Sequence, residues 1–464
     1  MKPNGGSNSG FGGRPAGNRT INSISEPKDP FVETIGNNQR RGESNKQLYW
    51  GIMAFFLFAY LRPQDVLTPL QKFHPDIIII SFLTIGYATS SKASSKIDVP
   101  LLIKGLLFFN AVMFLSIPFS YHHGNSLDGA VRFLITIVLV CFLITMVLDS
   151  FDRIERLFKM LNFGIIVLAV HIAKQYLGGA SHGSVHGLVG AQFRNPNDLG
   201  VNFVLFLPMV YYYFLKGKDT FSKLLSLALF GIILFGVLAT QSRGAMLGAS
   251  VVLVLLMIKT ERKGLALVSG AVALVVVLTF APDNALKRFG TVFSFLSGSG
   301  DEKSEEYGNA ETRTWFYESS IQMMLARPLT GVGMGAWSRA YGLEFRNPKD
   351  ESNRWPDAHS SYFMIIGELG VPGIVAYLYL IYITLSTIKS LERRFKSGPL
   401  YWRELYFIQC MRIGFYGFLV STIFQTFAYY PTVYNMMAVV YAMDRIYRKD
   451  ANSPAAPIVR KNGK

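Results

Sequence analysis

Charge is scarce in this sequence. Only 16% of its 464 residues are Asp, Glu, Lys or Arg, whereas 50% are hydrophobic and 14% aromatic; an average soluble domain carries about 25% charged residues. With a mean hydropathy of +0.28, this composition excludes an ordinary soluble globular enzyme. Cysteine is scarcer still. Cys141 and Cys410 lie in two different apolar blocks, in no metal-ligating or redox spacing, so no structural disulfide is expected. No internal repeat is evident. A cleaved secretory signal is not expected either, because the first apolar block begins near Leu48, beyond the reach of a normal h-region.

What fills the chain instead is a series of apolar blocks of roughly 15 to 25 residues, each long enough for a bilayer core about 30 Å thick. The expected fold is all-α: a polytopic membrane protein of about 12 transmembrane helices. The spans are read at 48–61, 75–90, 99–119, 131–148, 157–177, 199–215, 221–240, 244–258, 264–281, 360–388, 405–428 and 431–447. Residues 1–47, rich in Gly, Asn, Ser and Pro, read as a disordered tail. Helices 1–9 then occupy 48–281, a large hydrophilic loop 282–358, helices 10–12 359–447, and a second tail 448–464. Inside the loop, Ala310 to Ala326 reads as a helix with Phe316, Met323 and Met324 on one side, ended by Arg327 and Pro328.

The net charge of +16, from 46 basic and 30 acidic residues, would suggest nucleic acid in a soluble protein. Here the basic residues fall in alternate short loops: Lys92 and Lys96, Arg153 and Arg156, Lys216 and Lys218, Lys259, Arg262 and Lys263, then Lys389, Arg393, Arg394 and Lys396. The positive-inside rule accounts for them, makes both termini cytoplasmic, and places the 282–358 loop outside. No nucleic-acid partner is expected.

On that topology an unusual set of polar residues gathers at the outer face: Arg132, His171, Lys174, Arg194, Arg243, Arg313, His359 and Glu368. A basic cluster facing outward opposes the positive-inside trend. It reads as a site for an anionic group at the membrane boundary, where guanidinium forks bind phosphate oxygens bidentately; a lipid pyrophosphate fits. Arg243, in QSRGAML, has little freedom between two spans, although an arginine snorkelling to headgroups is the structural alternative. Arg313, in ETRTWFYESS, has a solvated surface residue as its alternative. His359 begins the tenth span, and a neutral imidazole there is suited to accept a proton from an attacking hydroxyl. Glu368 follows nine residues later, about 13 Å along a helix, and an intramembrane carboxylate normally faces a partner or a polar cavity. Lys174 shares a face with His171 one turn away and is a secondary phosphate candidate; His171 itself reads as a helix–helix hydrogen bonder. His182 and His186 lack acidic or Cys partners, so no metal is required. GVGMG at 331–335 is a weak phosphate-loop signal, with no strand before it and no Lys-Ser/Thr after it, and reads as a flexible or close-packed turn.

Taken together, FRNPND at 193–198, QSRGAML with Arg243 and Leu247 in R-x3-L spacing, RTWFY followed by RPLTGVGMG, and His359 separated by ten residues from Gly370 resemble the O-antigen ligase and O-antigen polymerase superfamily. Its members are polytopic, with about a dozen helices and a large periplasmic loop between two late helices; the resemblance covers roughly residues 48–447. It implies an inner-membrane, inverting, metal-independent glycosyltransferase without a cofactor, acting in surface polysaccharide biosynthesis (O-antigen or exopolysaccharide). The donor would be an undecaprenyl-diphosphate-linked glycan, and the acceptor a hydroxyl of a glycan, lipid or protein. Other polysaccharide assembly proteins are possible partners, alongside membrane lipids. Carried onto this sequence, Arg243 and Arg313 would bind the donor diphosphate and His359 would be the base or orienter; from the outer basic cluster, Arg194 and Lys174 are added as further diphosphate-binding candidates. Glu368 adds a supporting partner or an alternative base. Ligase and polymerase share this architecture. The reading of another class is a transporter or flippase of lipid-linked sugars; the late position of the long loop, the lack of a repeat and the outer-rim position of the polar cluster count against it.

Overall fold

A backbone segment in lipid must satisfy its own N–H and C=O groups, and for a single apolar stretch the α-helix does so. The computed structural model describes residues 46–60, 75–90, 99–180, 195–259, 305–350, 355–398 and 401–451, and every regular element among them is helical. In chain order these are α1 Lys46–Tyr60, α2 Pro75–Ala88, α3 Leu101–Ser116 with a 3-10 extension to Phe119, α4 His123–Val147, α5 Phe151–Leu177, α6 Pro196–Lys216, α7 Thr220–Ala239 and α8 Arg243–Lys259. There follow α9 Glu305–Ala326, the single turn α10 Trp337–Ala340, α11 Ser361–Lys396, α12 Trp402–Ser421 and α13 Pro431–Ala451.

Six of these are long and apolar enough to cross a membrane: α3 with its extension, α4, α5, α6, α7 and α11. The remaining expected spans among the described residues are shorter or more charged. α1, α2 and α8 have 15, 14 and 17 residues, α12 carries Arg403, Glu404 and Arg412, and α13 carries Asp444, Arg445 and Arg448. The expected ninth span, 264–281, lies outside the described residues, as do 282–304 of the expected loop.

Several boundaries differ from the expected ones, each for a local reason. α4 starts at His123 rather than 131, because the His122 ring caps it by accepting from Asn125 N, and a π-helical stretch at Leu134–Leu139 carries the helix on. α7 and α8 are two helices, separated by Thr240–Ser242 with Gln241 in the left-handed region at φ 54. α11 is broken at Gly370 (φ 63, ψ −158), a conformation essentially reserved for glycine, and Pro372 follows. The helix expected over 405–428 ends at Ser421, which leaves 422–430 as a turn.

α6 sits at the centre, buried nearly all round, and packs against α5, α7, α8 and α12. A helix apolar on every side is stable only when every side is covered. α8 and α12 approach each other closely. A Cβ on Gly248 would meet Gly417 O at 2.5 Å, and one on Gly244 would meet Ser421 O at 2.9 Å. This small-residue stripe lets two backbones touch where lipid gives helices no hydrophobic drive to associate.

The two ends of the bundle differ in chemistry. At one end Glu155 of α5 accepts from Tyr212, Lys216 and Arg403, Arg403 also reaches Asp152, and Arg412 pairs with Glu392 at 2.7 Å. Arg445 donates there to Met146 O and Leu148 O. These are the loops that the charge pattern assigns to the cytoplasm. At the other end lie the α3–α4 turn, α9 and α10, the α7–α8 turn, the start of α11 and the 422–430 turn.

Candidate functional site

The 422–430 turn organises this second end. Ser361, at the start of α11, donates its N–H to Thr422 O (3.0 Å) and its hydroxyl to Gln425 O (2.7 Å), and its oxygen accepts from Phe427 N (2.8 Å). Gln425 Nε2 in turn donates to Ser242 Oγ at 3.3 Å. A hydrogen-bond chain of three residues, running through both the side chain and the backbone carbonyl of Gln425, thus links the residue before Arg243 to the residue two after His359. α9 reaches the same turn: Tyr317 donates to Ile423 O (3.4 Å) and stacks on Phe363 at 4.3 Å. Arg313 lies one helical turn before Tyr317.

His359 is half-buried, with φ 51, an unusual backbone for a non-glycine residue. Its ring lies 5.8 Å from that of Phe316. Burial, followed by the nearby positive charge of Arg313, holds its pKa below the ordinary histidine value, and Asp357 pulls the other way. Burial likewise lowers the pKa of Arg313, partly offset by Tyr317, but an arginine so far above neutrality stays charged. The charge of Arg313 thus acts on His359, and Arg243 starts α8 directly after Ser242, which is bonded to Gln425 of the 422–430 turn. An imidazole kept neutral beside a fixed cation can accept a proton while the cation binds an anion.

Glu368 is buried on α11 and fully occupied. Its Oε1 accepts from Trp337 N (3.2 Å), its Oε2 from Tyr429 OH (2.9 Å), and the Gly335 amide is a further donor beside it. The RPLTGVGMG segment wraps around this point. Val332 N donates to Gly367 O, Gly333 N to Glu368 O and Val371 N to Pro328 O. Gly331, Gly333 and Gly335 all have positive φ, and a Cβ on Gly331 would strike the Glu368 backbone. The glycines thus make a close-packed turn, with their amides spent on the protein rather than presented to a phosphate.

The other expected residues are more peripheral or lie elsewhere. Lys174 is exposed near the end of α5 and takes no part in the Ser242–Gln425–Ser361 chain. His171 is hydrogen-bonded to Gln175 of its own helix (2.6 Å). Arg132 forms an exposed pair with Asp128 (3.0 Å). Arg194, His182 and His186 lie outside the described residues. Cys141 and Cys410 are buried free thiols. Among the described residues, no group of three or more His, Cys, Asp or Glu is placed to hold a metal ion.

Residues beyond the sequence expectation also belong here. Asp198, buried in the first turn of α6, accepts from Tyr430 OH at 3.0 Å. Asp357, exposed and bonded by Ser338 Oγ at 3.2 Å, has its charge felt at both His359 and Tyr430. Asp198 lies in FRNPND at the head of an apolar run, and the rule that flags Glu368 as an intramembrane carboxylate flags it equally. Gln425, Tyr429 and Tyr430 carry no such signal, because their position depends on where α12 stops.

Residues 228–378 match the family model of the O-antigen ligases. The matched segment runs from within α7 to within α11 and holds Arg243, Arg313, His359 and Glu368. Lys174 and Arg194 fall before it. The O-antigen ligase match supports the O-antigen ligase and polymerase superfamily and a multi-pass membrane protein of that type. No curated protein matches the chain.

Proposed function

We propose that the protein is a membrane glycosyltransferase that takes a glycan from undecaprenyl diphosphate at the periplasmic face of the inner membrane, both termini being cytoplasmic, and transfers it to a hydroxyl acceptor as an O-antigen ligase or polymerase. The observation that supports this reading is the 422–430 turn, bonded to Ser242 before Arg243, to Ser361 after the half-buried His359 and to Tyr317 one turn after Arg313, with Arg243, Arg313 and His359 all in the segment that matches the O-antigen ligases.

In the proposed reaction the acceptor oxygen attacks the anomeric carbon from the face opposite the diphosphate. The new C–O bond forms as the bond from C1 to the diphosphate oxygen breaks, with inversion. The acceptor's proton passes to the neutral ring of His359, whose lowered basicity keeps it unprotonated at neutral pH. The leaving diphosphate gains negative charge, and the guanidinium groups of Arg243 and Arg313 neutralise it, in the place a divalent cation takes elsewhere. Lys174 and Arg194 are assigned to the approach of the lipid diphosphate. Glu368 is a positioning residue: its carboxylate ties Trp337 and Tyr429 to the break in α11.

The test is to delete the gene, restore it as wild type, Arg243→Ala, Arg313→Ala or His359→Ala, and separate the lipid-linked glycans by size. Each variant is expected to stay in the membrane and to assemble no finished glycan. Single lipid-linked repeats accumulate if the protein is a polymerase, long uncapped chains if it is a ligase. Full assembly by all three variants overturns the site.

A further inference from the structure

A cavity of about 660 Å³ opens at the same end of the bundle between the α3–α4 turn and the loop after α9; Phe119, His123, Arg327, Leu329 and Thr330 are among its lining residues, and none of Arg243, Arg313 or His359 is. Arg327 is held in place before any ligand arrives. Its guanidinium lies 4.5 Å from the centre of the Tyr121 ring and donates to Phe119 O. Tyr121 is fixed in turn, through its N–H to Val332 O (3.0 Å) and its hydroxyl to Glu344. The Arg327 and Pro328 carbonyls are tied by Gly331 N and Val371 N. The entropy of ordering a long cationic side chain is thereby already spent, which leaves its free N–H edge available for an anion at low cost.

The surroundings define the anion's class. The membrane-spanning part of α3 ends at Phe119 and that of α4 begins at His123, so the cavity lies at a membrane–water boundary. Beside the cation the lining holds exposed apolar side chains, Leu329 at 68% and Phe119 at 51%, and Leu325, two residues before Arg327 and outside the lining, is 68% exposed. A fixed cation flanked by exposed leucines suits a ligand with a phosphate at one end and methylenes at the other. We propose that this cavity binds the headgroup of an anionic membrane phospholipid, with Arg327 on the phosphate, His123 beside it, and Phe119 and Leu329 against the first methylenes of the acyl chains.

The test uses the full-length protein in detergent and native mass spectrometry with three probes: phosphatidylglycerol, diacylglycerol, which lacks the phosphate, and glycerol 3-phosphate, which lacks the chains. Wild type should retain phosphatidylglycerol in preference to both others. Arg327→Gln should weaken that binding on the order of tenfold, the loss of a charge-assisted hydrogen bond. Leu329→Asp, at an exposed position that leaves folding intact, should weaken it as well by repulsion. Equal binding of diacylglycerol removes the phosphate from the assignment, equal binding of glycerol 3-phosphate removes the lipid, and unchanged binding by both variants removes the site; each overturns the proposal.

Discussion

His359 joins two requirements that usually conflict. In the proposed reaction it must stay uncharged to accept a proton, yet it sits beside Arg313, the cation assigned to the diphosphate. Burial and Arg313 act in the same direction on it, both lowering its pKa, so the neutral ring persists as the pH falls below the ordinary histidine value near 6.5. Activity should therefore hold through that region and fall only as the pH drops through the lowered value. Arg313→Gln removes one of the two causes, and histidine-labelled NMR should then show His359 titrating at higher pH than in wild type; an unmoved titration would separate the two residues. Glu368 gives a second contrast. If it positions Trp337 and Tyr429, Glu368→Gln keeps an acceptor oxygen and much of the activity. Glu368→Ala leaves two buried donors unpaired at about 1–3 kcal/mol each and lowers thermal stability. A base at this position would instead be lost as completely in Gln as in Ala.

At the level of elements, the site exists because three helices stop where they do. α7 gives way to α8 at Thr240–Ser242, α12 ends at Ser421, and α11 breaks at Gly370. The first of these stops is legible in the sequence as a polar tetrapeptide between apolar blocks. The second is not: Ile423, Phe424, Phe427 and Ala428 continue the apolar run of α12, so periodicity carries the helix to 428. The turn forms there because Ser361 and Ser242, distant in the chain, satisfy its backbone and Gln425. The Gly370 break is legible only as a glycine at fixed spacing from His359; the reason it must be glycine is its positive φ and the approach of the Pro328 carbonyl. Gly370→Ala should cost about 1–3 kcal/mol from the backbone conformation alone, with the clash added, and should lower the thermal unfolding midpoint and the yield in the membrane. An unchanged midpoint would mean that α11 can straighten.

For the molecule as a whole, membrane class and helix positions follow from composition, apolar run length and loop charge, because the bilayer imposes those quantities directly on the sequence. Lys216 and Arg403 are tied through Glu155 at one end of the bundle, where Arg153 pairs with Asp149, and at the other the charge of Arg313 acts on His359 while Ser242, the neighbour of Arg243, is bonded to Gln425. The tertiary partners of the site are less legible. Asp198–Tyr430 and Glu368–Tyr429 join α6 and α11 to a turn whose existence depends on helix ends, and Lys174, one turn from His171 in sequence, stands outside the hydrogen-bonded cluster. The proposed reaction moves a glycan from a lipid diphosphate at this outer cluster with side chains alone. Its most direct measurement is turnover by the purified full-length protein, with an undecaprenyl-diphosphate-linked glycan as donor and a chelator present, reading released undecaprenyl diphosphate against glycan transferred. Equal amounts of the two from wild type, and neither from His359→Ala, are the predicted result. Equal turnover by His359→Ala, or transfer that stops when the chelator is added, would contradict it.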